Sequence, residues 1–324
     1  MPYAIRIQQQ GGPEVMRWEQ IEVGKPGEGQ VRLKQTAVGL NYIDVYHRAG
    51  VYPVPLPAII GSEGAGVVEE VGAGVTDLKV GDRVAYAGPP MGSYAEARLY
   101  PANRLVKVPD GISDQQAAGA MLQGLTCWYL VRRTYPVKKG DTILVHAAAG
   151  GVGLLLCQWG KHLGATVIGT VGSDDKAKLA RANGAAHTIV YTREDFVARV
   201  NEITGGKKVP VVYDGVGKDT FMKSLDCLAP LGLEASFGSA SGVVPPFDLG
   251  ILAAKGSLFV TRPTLGSYTG KREDLVTGAN ELFDVMKSGA VKIHVNQSVP
   301  LKDAAQAHRD LEARKTTGKT VLTI

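Results

Sequence analysis

The sequence predicts an α/β protein in which a doubly wound parallel sheet follows, and is followed by, a mainly β region. Three observations carry that expectation. Up to about residue 100 the text is short β-like runs cut by Gly and Pro. Beyond Pro136 apolar runs alternate with helical patterns, the mark of a parallel sheet covered on both faces. Between the first such run and its helix lies a turn of small residues.

Taken in order, the β-like runs of the first region are 4–7, 31–38, 66–71, 83–86 and 94–99, a rhythm that suggests an antiparallel, partly barrel-like unit. The second region opens with Thr142-Ile143-Leu144-Val145-His146-Ala147, continues through Ala148-Ala149-Gly150-Gly151-Val152-Gly153, and enters a helical stretch at 154–163. Strand-like 166–171, helical 176–183, strand-like 187–190, a helix near 196–203, and runs at 209–214, 221–228 and 231–237 complete the alternation. From about Pro263 a helix at 274–288 and a β-like run at 319–324 return the chain to the first region. The expected division is 1–122 with 263–324, and 123–262 between them. No internal repeat or low-complexity segment is present.

Composition narrows the function classes. With 324 residues, 44% hydrophobic and 21% charged, the chain can bury substantial cores. The formal net charge of +5 comes from scattered Lys and Arg without a basic run or interleaved aromatics, which argues against a nucleic-acid surface. Cys127, Cys157 and Cys227 lie far apart, with neither CxxC spacing nor a disulfide framework, so a reducing compartment is expected. The first residues lack an apolar signal core and no stretch is apolar enough to span a bilayer, so the expected location is cytoplasmic with no membrane partner.

The turn matters because small residues let the main chain approach a pyrophosphate while the following helix offers unpaired N–H groups and the positive end of its dipole. Gly150, Gly151, Val152 and Gly153 are the candidates. Against G-x-G-x-x-G the first glycine is Ala148, so the motif alone is weak; its place between strand and helix, with further strand–helix units behind it, strengthens it. The end of the second strand selects the dinucleotide, because a carboxylate there bonds a ribose 2′-hydroxyl and repels a 2′-phosphate. Here it reads Gly169-Thr170-Val171-Gly172-Ser173, apolar where the carboxylate is expected, with Ser173 and Lys176 able to donate to a phosphate. NADPH is favoured over NADH. Ser173 is equally a helix N-cap by type, and Asp174-Asp175 oppose the electrostatic argument.

At Val38-Gly39-Leu40-Asn41-Tyr42-Ile43-Asp44, Gly61-Ser62-Glu63-Gly64-Ala65-Gly66, Val80-Gly81-Asp82-Arg83-Val84, His146 to Gly153 and Val260-Thr261-Arg262-Pro263 the sequence resembles the quinone oxidoreductases, the zeta-crystallin-like, zinc-independent branch of the medium-chain dehydrogenase/reductase superfamily. The resemblance covers essentially the whole chain. In that family the turn is A-x-x-G-x-x-G, which Ala147, Gly150 and Gly153 match. The resemblance implies a GroES-like catalytic domain from both chain ends, a Rossmann domain between them, a homodimer, and a nicotinamide held in the cleft between domains. It places Asn41, Asp44, Tyr46 and Tyr52 near the nicotinamide with Thr126 close by, gives Ser173, Lys176 and Tyr191 to the adenosine 2′-phosphate, and sets Phe237, Gly238, Ser239, Thr261 and Arg262 along the dinucleotide, with Gly172 also cofactor-binding. Asn41, Tyr46 and Tyr52 are the implied catalytic residues; for Tyr46, Tyr52 and Phe237 aromatic core packing is an equal alternative.

No metal is expected. The Gly-His-Glu element of zinc alcohol dehydrogenases stands here as Gly61-Ser62-Glu63, the early cysteine is replaced within 39–44, and the six histidines lack ligand spacing. The Tyr-x-x-x-Lys pair of short-chain reductases appears only at Tyr135 to Lys139, before the glycine turn and interrupted by Pro136. A G-x-S-x-G elbow and a lysine after the turn are absent, which removes hydrolase and nucleoside-triphosphatase readings. Without metal or an evident general acid the acceptor must already be electron-poor, and quinones and conjugated carbonyl compounds satisfy this. The alternatives are a zinc-free enoyl or alkenal reductase and a noncatalytic NADPH-dependent binding protein.

Overall fold

The chain begins as strands because its apolar residues alternate: in β3 (Gln30–Gly39) Val31, Leu33, Gln35 and Ala37 face inward while Lys34 faces water. The computed structural model describes residues 1–324. Before β3 come β1 (Tyr3–Ile7) and β2 (Met16–Gln20). After it follow α1 (Tyr42–Ala49), β4 (Ala58–Ile59), β5 (Glu63–Val71), β6 (Arg83–Ala87), β7 (Ala97–Pro101), β8 (Val106–Lys107) and α2 (Asp114–Tyr129). The alternating strand–helix region comprises β9 (Thr142–Val145), α3 (Gly151–His162), β10 (Thr166–Val171), α4 (Asp174–Ala182), β11 (His187–Val190), α5 (Phe196–Ile203), β12 (Val209–Asp214), α6 (Phe221–Cys227), β13 (Leu228–Ser236), α7 (Gly250–Ala254), β14 (Phe259–Thr261) and α8 (Leu265–Tyr268). The chain finishes with α9 (Arg272–Lys287), β15 (Val295–Pro300), α10 (Ala304–Glu312) and β16 (Lys319–Thr323).

Two compact units result. Unit 1 is Met1–Leu125, Thr269–Lys287 and Ile293–Ile324; unit 2 is Thr126–Tyr268 with Ser288–Lys292. In unit 1 a three-stranded sheet, β2-β1-β4, stands beside a seven-stranded one ordered β15-β16-β3-β5-β6-β8, with β7 also on β3. Val31, Leu33, Val68, Val84, Tyr86 and Tyr100 fill one core, and Ile5, Ile7, Val38, Leu40, Ile60 and Leu322 another. Unit 2 is a six-stranded parallel sheet in the order β11-β10-β9-β12-β13-β14. The order reverses between β9 and β12, the switch point at which doubly wound sheets open for ligands beyond their strand carboxyl ends. No helix is long and apolar enough to cross a membrane.

The α/β architecture is the one the sequence predicts. The strands 166–171, 187–190 and 209–214 coincide with β10, β11 and β12. The run at 94–99 is corrected: its first part forms only a bridge, Ala4 to Ala95, and the strand proper is β7 at Ala97–Pro101. α1 goes unseen in a region read as strands, and α2 falls in the stretch between that region and Pro136, to which no element was assigned. Asn41 and Asp44 explain α1, since the Asp44 carboxylate accepts the Asn41 N–H at 2.9 Å and closes the first turn, and Gly50 in the left-handed region ends it.

Candidate functional site

In unit 2 the expected residues converge at the carboxyl ends of β9, β10, β13 and β14. The turn after β9 reverses through Ala147, which sits at φ 50° where an L residue is strained. Gly153 is obligatory: a Cβ there would collide with the Ala147 carbonyl oxygen and lie 2.7 Å from Ala148 Cα. This lets α3 start against the turn, with Gly150 as its N-cap and no side chain capping it. The N–H groups of Gly151, Val152 and Gly153 head the helix, where the dipole is positive. By contrast α4 and α5 carry side-chain caps, Ser173 and Asp195.

At the end of β10 the buried Val171 leads to Gly172, and the Tyr191 hydroxyl lies 2.9 Å from where a Gly172 Cβ would stand. Ser173 Oγ accepts the Lys176 N–H at 3.4 Å, so Ser173 is the helix cap its type suggested. Asp174 is held by Arg193 through two bonds, 2.8 and 2.6 Å, and that guanidinium keeps its carboxyl below the usual range. Gly172, Ser173, Lys176 and Tyr191 thus gather at one strand end, with Asp174 paired to Arg193 and Asp175 to Lys178. Beyond β13 and β14, Gly238 passes so close to Gly215 that a Cβ would meet its backbone, and the Phe237 ring lies over Gly215. Arg262 donates to Ser236 O at 2.7 Å and to Ser239 Oγ at 3.3 Å, which brings Phe237, Gly238, Ser239, Thr261 and Arg262 together. Thr126 is buried on α2, hydrogen-bonded with Tyr129, whose ring stacks on Tyr268.

In unit 1 the structure gathers a polar cluster around Asn41, which is 4% exposed. Its Nδ2 donates to Glu63 Oε1 at 2.7 Å, its Oδ1 accepts from Lys319 Nζ at 2.8 Å, and Gln123 Nε2 approaches Oδ1 at 3.4 Å. Tyr46 and Tyr52 are half-buried and meet edge to face at 5.3 Å, with Tyr42 repeating the geometry on Tyr46. Asp44, expected near the nicotinamide, is fully buried and occupied elsewhere. Its carboxylate takes Asn41 N, Ser62 Oγ at 2.8 Å and Tyr94 Oη at 3.2 Å, and burial pushes it up to about 7 against the pull of the Ser62 and Asn41 bonds. It holds α1 and Ser62 in place and presents no surface to a ligand.

Behind Asp44 runs a chain that sequence reasoning missed. Arg48 donates to His308 Nδ1 at 3.0 Å, which leaves Nε2 to donate to Tyr94 Oη, also at 3.0 Å, and Tyr94 to donate to Asp44. Burial, then the adjacent Arg48, push His308 down to about 3. Glu63 and Lys319 were missed as well. Only the glycine- and alanine-rich run Gly64-Ala65-Gly66 that follows Glu63 signals that its carboxylate lies inside. No group of three or more His, Cys, Asp or Glu side chains could hold a metal ion, and Ser62 bonds Asp44 where a zinc enzyme has a histidine ligand.

Comparison with known proteins now decides the family. Residues 151–284 match the zinc-binding dehydrogenase family model and residues 27–110 the GroES-like domain of alcohol dehydrogenases. The chain is 55% identical over 323 residues to a quinone oxidoreductase of Pseudomonas aeruginosa, covering 99% of both chains. The chain belongs to the quinone oxidoreductase family. Within this family it is also 50% identical to a 2-haloacrylate reductase of a Burkholderia species, again over 99% of each chain. Its fold superposes on the crystal structure of Escherichia coli quinone oxidoreductase complexed with NADPH with a TM-score of 0.98 at 48% identity, over 99% of this chain and all of that one. The family accounts for the enzyme class, an oxidoreductase of the medium-chain type, and for the pairing of a GroES-like unit with a parallel nucleotide-binding sheet.

Proposed function

We propose that the protein is an NADPH-dependent reductase that passes a hydride from NADPH to quinones or related electron-poor carbonyl compounds without a metal. The observation that carries this reading is the small-residue, uncapped start of α3 beside a β10 end that offers Ser173, Lys176 and Tyr191 in place of a carboxylate. The NADPH-bound relative from Escherichia coli supports the cofactor.

In this reading the first-turn N–H groups of α3 take the pyrophosphate, Lys176 with Ser173 and Tyr191 takes the 2′-phosphate, and Phe237 to Ser239, Thr261 and Arg262 flank the dinucleotide. Bound NADPH supplies the hydride. Asn41 fixes the reacting end, and the hydroxyls of Tyr46 and Tyr52 donate to negative charge developing on the acceptor oxygen, whose proton comes from water. The ion pair of Glu63 with Lys319 supports the metal-free reading.

The test is consumption of NADPH, followed by its near-ultraviolet absorbance, with 1,4-benzoquinone and 9,10-phenanthrenequinone. A higher kcat/KM with NADPH than with NADH is expected, and equal values would refute the 2′-phosphate assignment. Tyr52→Phe should lower kcat; an unchanged rate excludes an essential hydroxyl. The 2-haloacrylate reductase relative favours a second reading, reduction of an activated carbon–carbon double bond, which a conjugated-acid panel separates from quinone reduction. We further propose a homodimer, supported by the open edge strand β14, where Phe259 is 59% exposed, and a cytoplasmic setting, supported by three free, buried cysteines.

A further inference from the structure

Lys319 begins β16 and is 2% exposed, a burial that lysine accepts only when paired. Its ammonium forms an ion pair with Glu63 Oε1 and bonds Asn41 Oδ1 at 2.8 Å. Glu63, 0% exposed, takes Asn41 Nδ2 at 2.7 Å on the same oxygen and the Leu122 N–H of α2 at 2.6 Å on the other. Three side chains from β16, β5 and the start of α1 thereby close a ring in which Glu63 is wholly buried and Asn41 keeps the most exposure, 4%.

Stability alone does not require such a ring, since apolar side chains of similar volume often serve as well as a buried ion pair. What the ring settles is direction. A carboxamide can exchange its donor and acceptor ends by flipping. Here an ammonium, which only donates, faces Oδ1, and a carboxylate, which only accepts, faces Nδ2. Flipping would set N–H against ammonium and oxygen against carboxylate. The two short bonds leave Asn41 one loosely engaged donor, 3.4 Å from Gly39 O, and one loosely engaged acceptor, 3.4 Å from Gln123 Nε2. A ligand can take over both, and their directions are fixed.

We propose that Lys319, acting with Glu63, is a positioning residue for hydride transfer that locks the Asn41 carboxamide in the one orientation the reactants use. The proposal rests on the placement of Asn41 at the reacting end given above. The experiment uses the full chain and compares Lys319→Met, the charge-free pair Lys319→Met/Glu63→Gln, and Lys319→Arg, each in wild-type and Asn41→Ala backgrounds. Thermal melts, NADPH dissociation constants, and kcat and KM with 9,10-phenanthrenequinone are measured. In the wild-type background kcat should fall roughly ten- to a hundredfold for Lys319→Met and for the charge-free pair, with KM for the quinone little changed. Lys319→Arg, which still sets only donors against Oδ1, should keep more of kcat than either. In the Asn41→Ala background none of the changes should cost anything further. A folded Lys319→Met or charge-free variant with wild-type kcat overturns the proposal, and so do losses that multiply those of Asn41→Ala. If Lys319→Met does not melt cooperatively, the charge-free pair, which leaves no unpaired carboxylate, gives the same two outcomes. A wild-type protein that oxidises NADPH with no quinone removes the proposed function itself and this proposal with it; with wild-type turnover in hand, a failure counts against the role of Lys319 alone.

Discussion

Glu234 is the sharpest lever on stability. It is 0% exposed on β13 and neither carboxyl oxygen has a hydrogen-bond partner. In register with Val212, which is in turn in register with Leu144, it shares the sheet face of the apolar cluster that includes Leu225, Leu228 and Leu258. Burial, and then the nearby Asp214, raise its carboxyl well above the usual range. The folded protein therefore keeps a proton that the unfolded chain releases above its ordinary carboxylate range. Because the folded state binds more protons, stability falls as pH rises through that interval, by about 1.4 kcal/mol per pH unit. Glu234→Gln retains the shape and removes the proton. Its melting temperature should exceed that of the wild type by a margin that widens from pH 5 upward by roughly 3–6 °C per unit, for a cooperative unit of about 150 residues. Calorimetric scans of both proteins across that range are the assay. Buried histidines contribute equally to both and cancel in the difference. A margin that stays constant with pH would show that Glu234 is ionised in the fold and would refute the reasoning.

Gly153→Ala should weaken NADPH roughly tenfold or more, since the added methyl meets the Ala147 carbonyl and overpacking of this kind costs on the order of 1–3 kcal/mol; fluorescence titration reads it. Lys176→Ala should raise the dissociation constant for NADPH roughly tenfold and leave that for NADH unchanged, the loss of one charge-assisted bond, with the difference shrinking at high salt. His308, held neutral in the fold and down to about 3, makes the protein lose about 1.4 kcal/mol per pH unit as pH drops below the ordinary histidine range, because the unfolded chain then takes up the proton; His308→Gln should flatten that acid limb in equilibrium unfolding.

Unit 2 was legible because its information is local. Each strand of a parallel sheet is a continuous apolar run, each helix has its own periodicity, and the small residues at 147–153 announce the close approach of α3 to the turn. In unit 1 the strands and the helix at 274–288 were read but α1 and α2 were not, because α1 depends on a cap between Asn41 and Asp44 and α2 is an alanine-rich stretch without a clear polar face. The fate of Lys319 could not be read from Gly318-Lys319-Thr320-Val321, which looks like an ordinary charged strand start; its partner Glu63 is 256 residues away. Glu234 is hidden for a similar reason. Only the pairing of β13 with β12 reveals that its side chain falls on the apolar face. Asp44 was recognised as special, but a capping and bridging duty cannot be told from ligand contact by residue type.

The interruption of unit 1 by unit 2 dictates an order of assembly. On the ribosome the whole parallel sheet of unit 2 is available before β16 emerges, so the nucleotide-binding half can close while the other half still lacks the strand that lies between β15 and β3. Until then Ala37, Val38 and Gly39 of β3 lack their partner strand and Glu63 has no ammonium to meet. Completion of the last strand is thus the event that both seals the nascent sheet and neutralises its inner carboxylate, and a chain cut before Lys319 would be left with a finished binding half and an open, aggregation-prone partner.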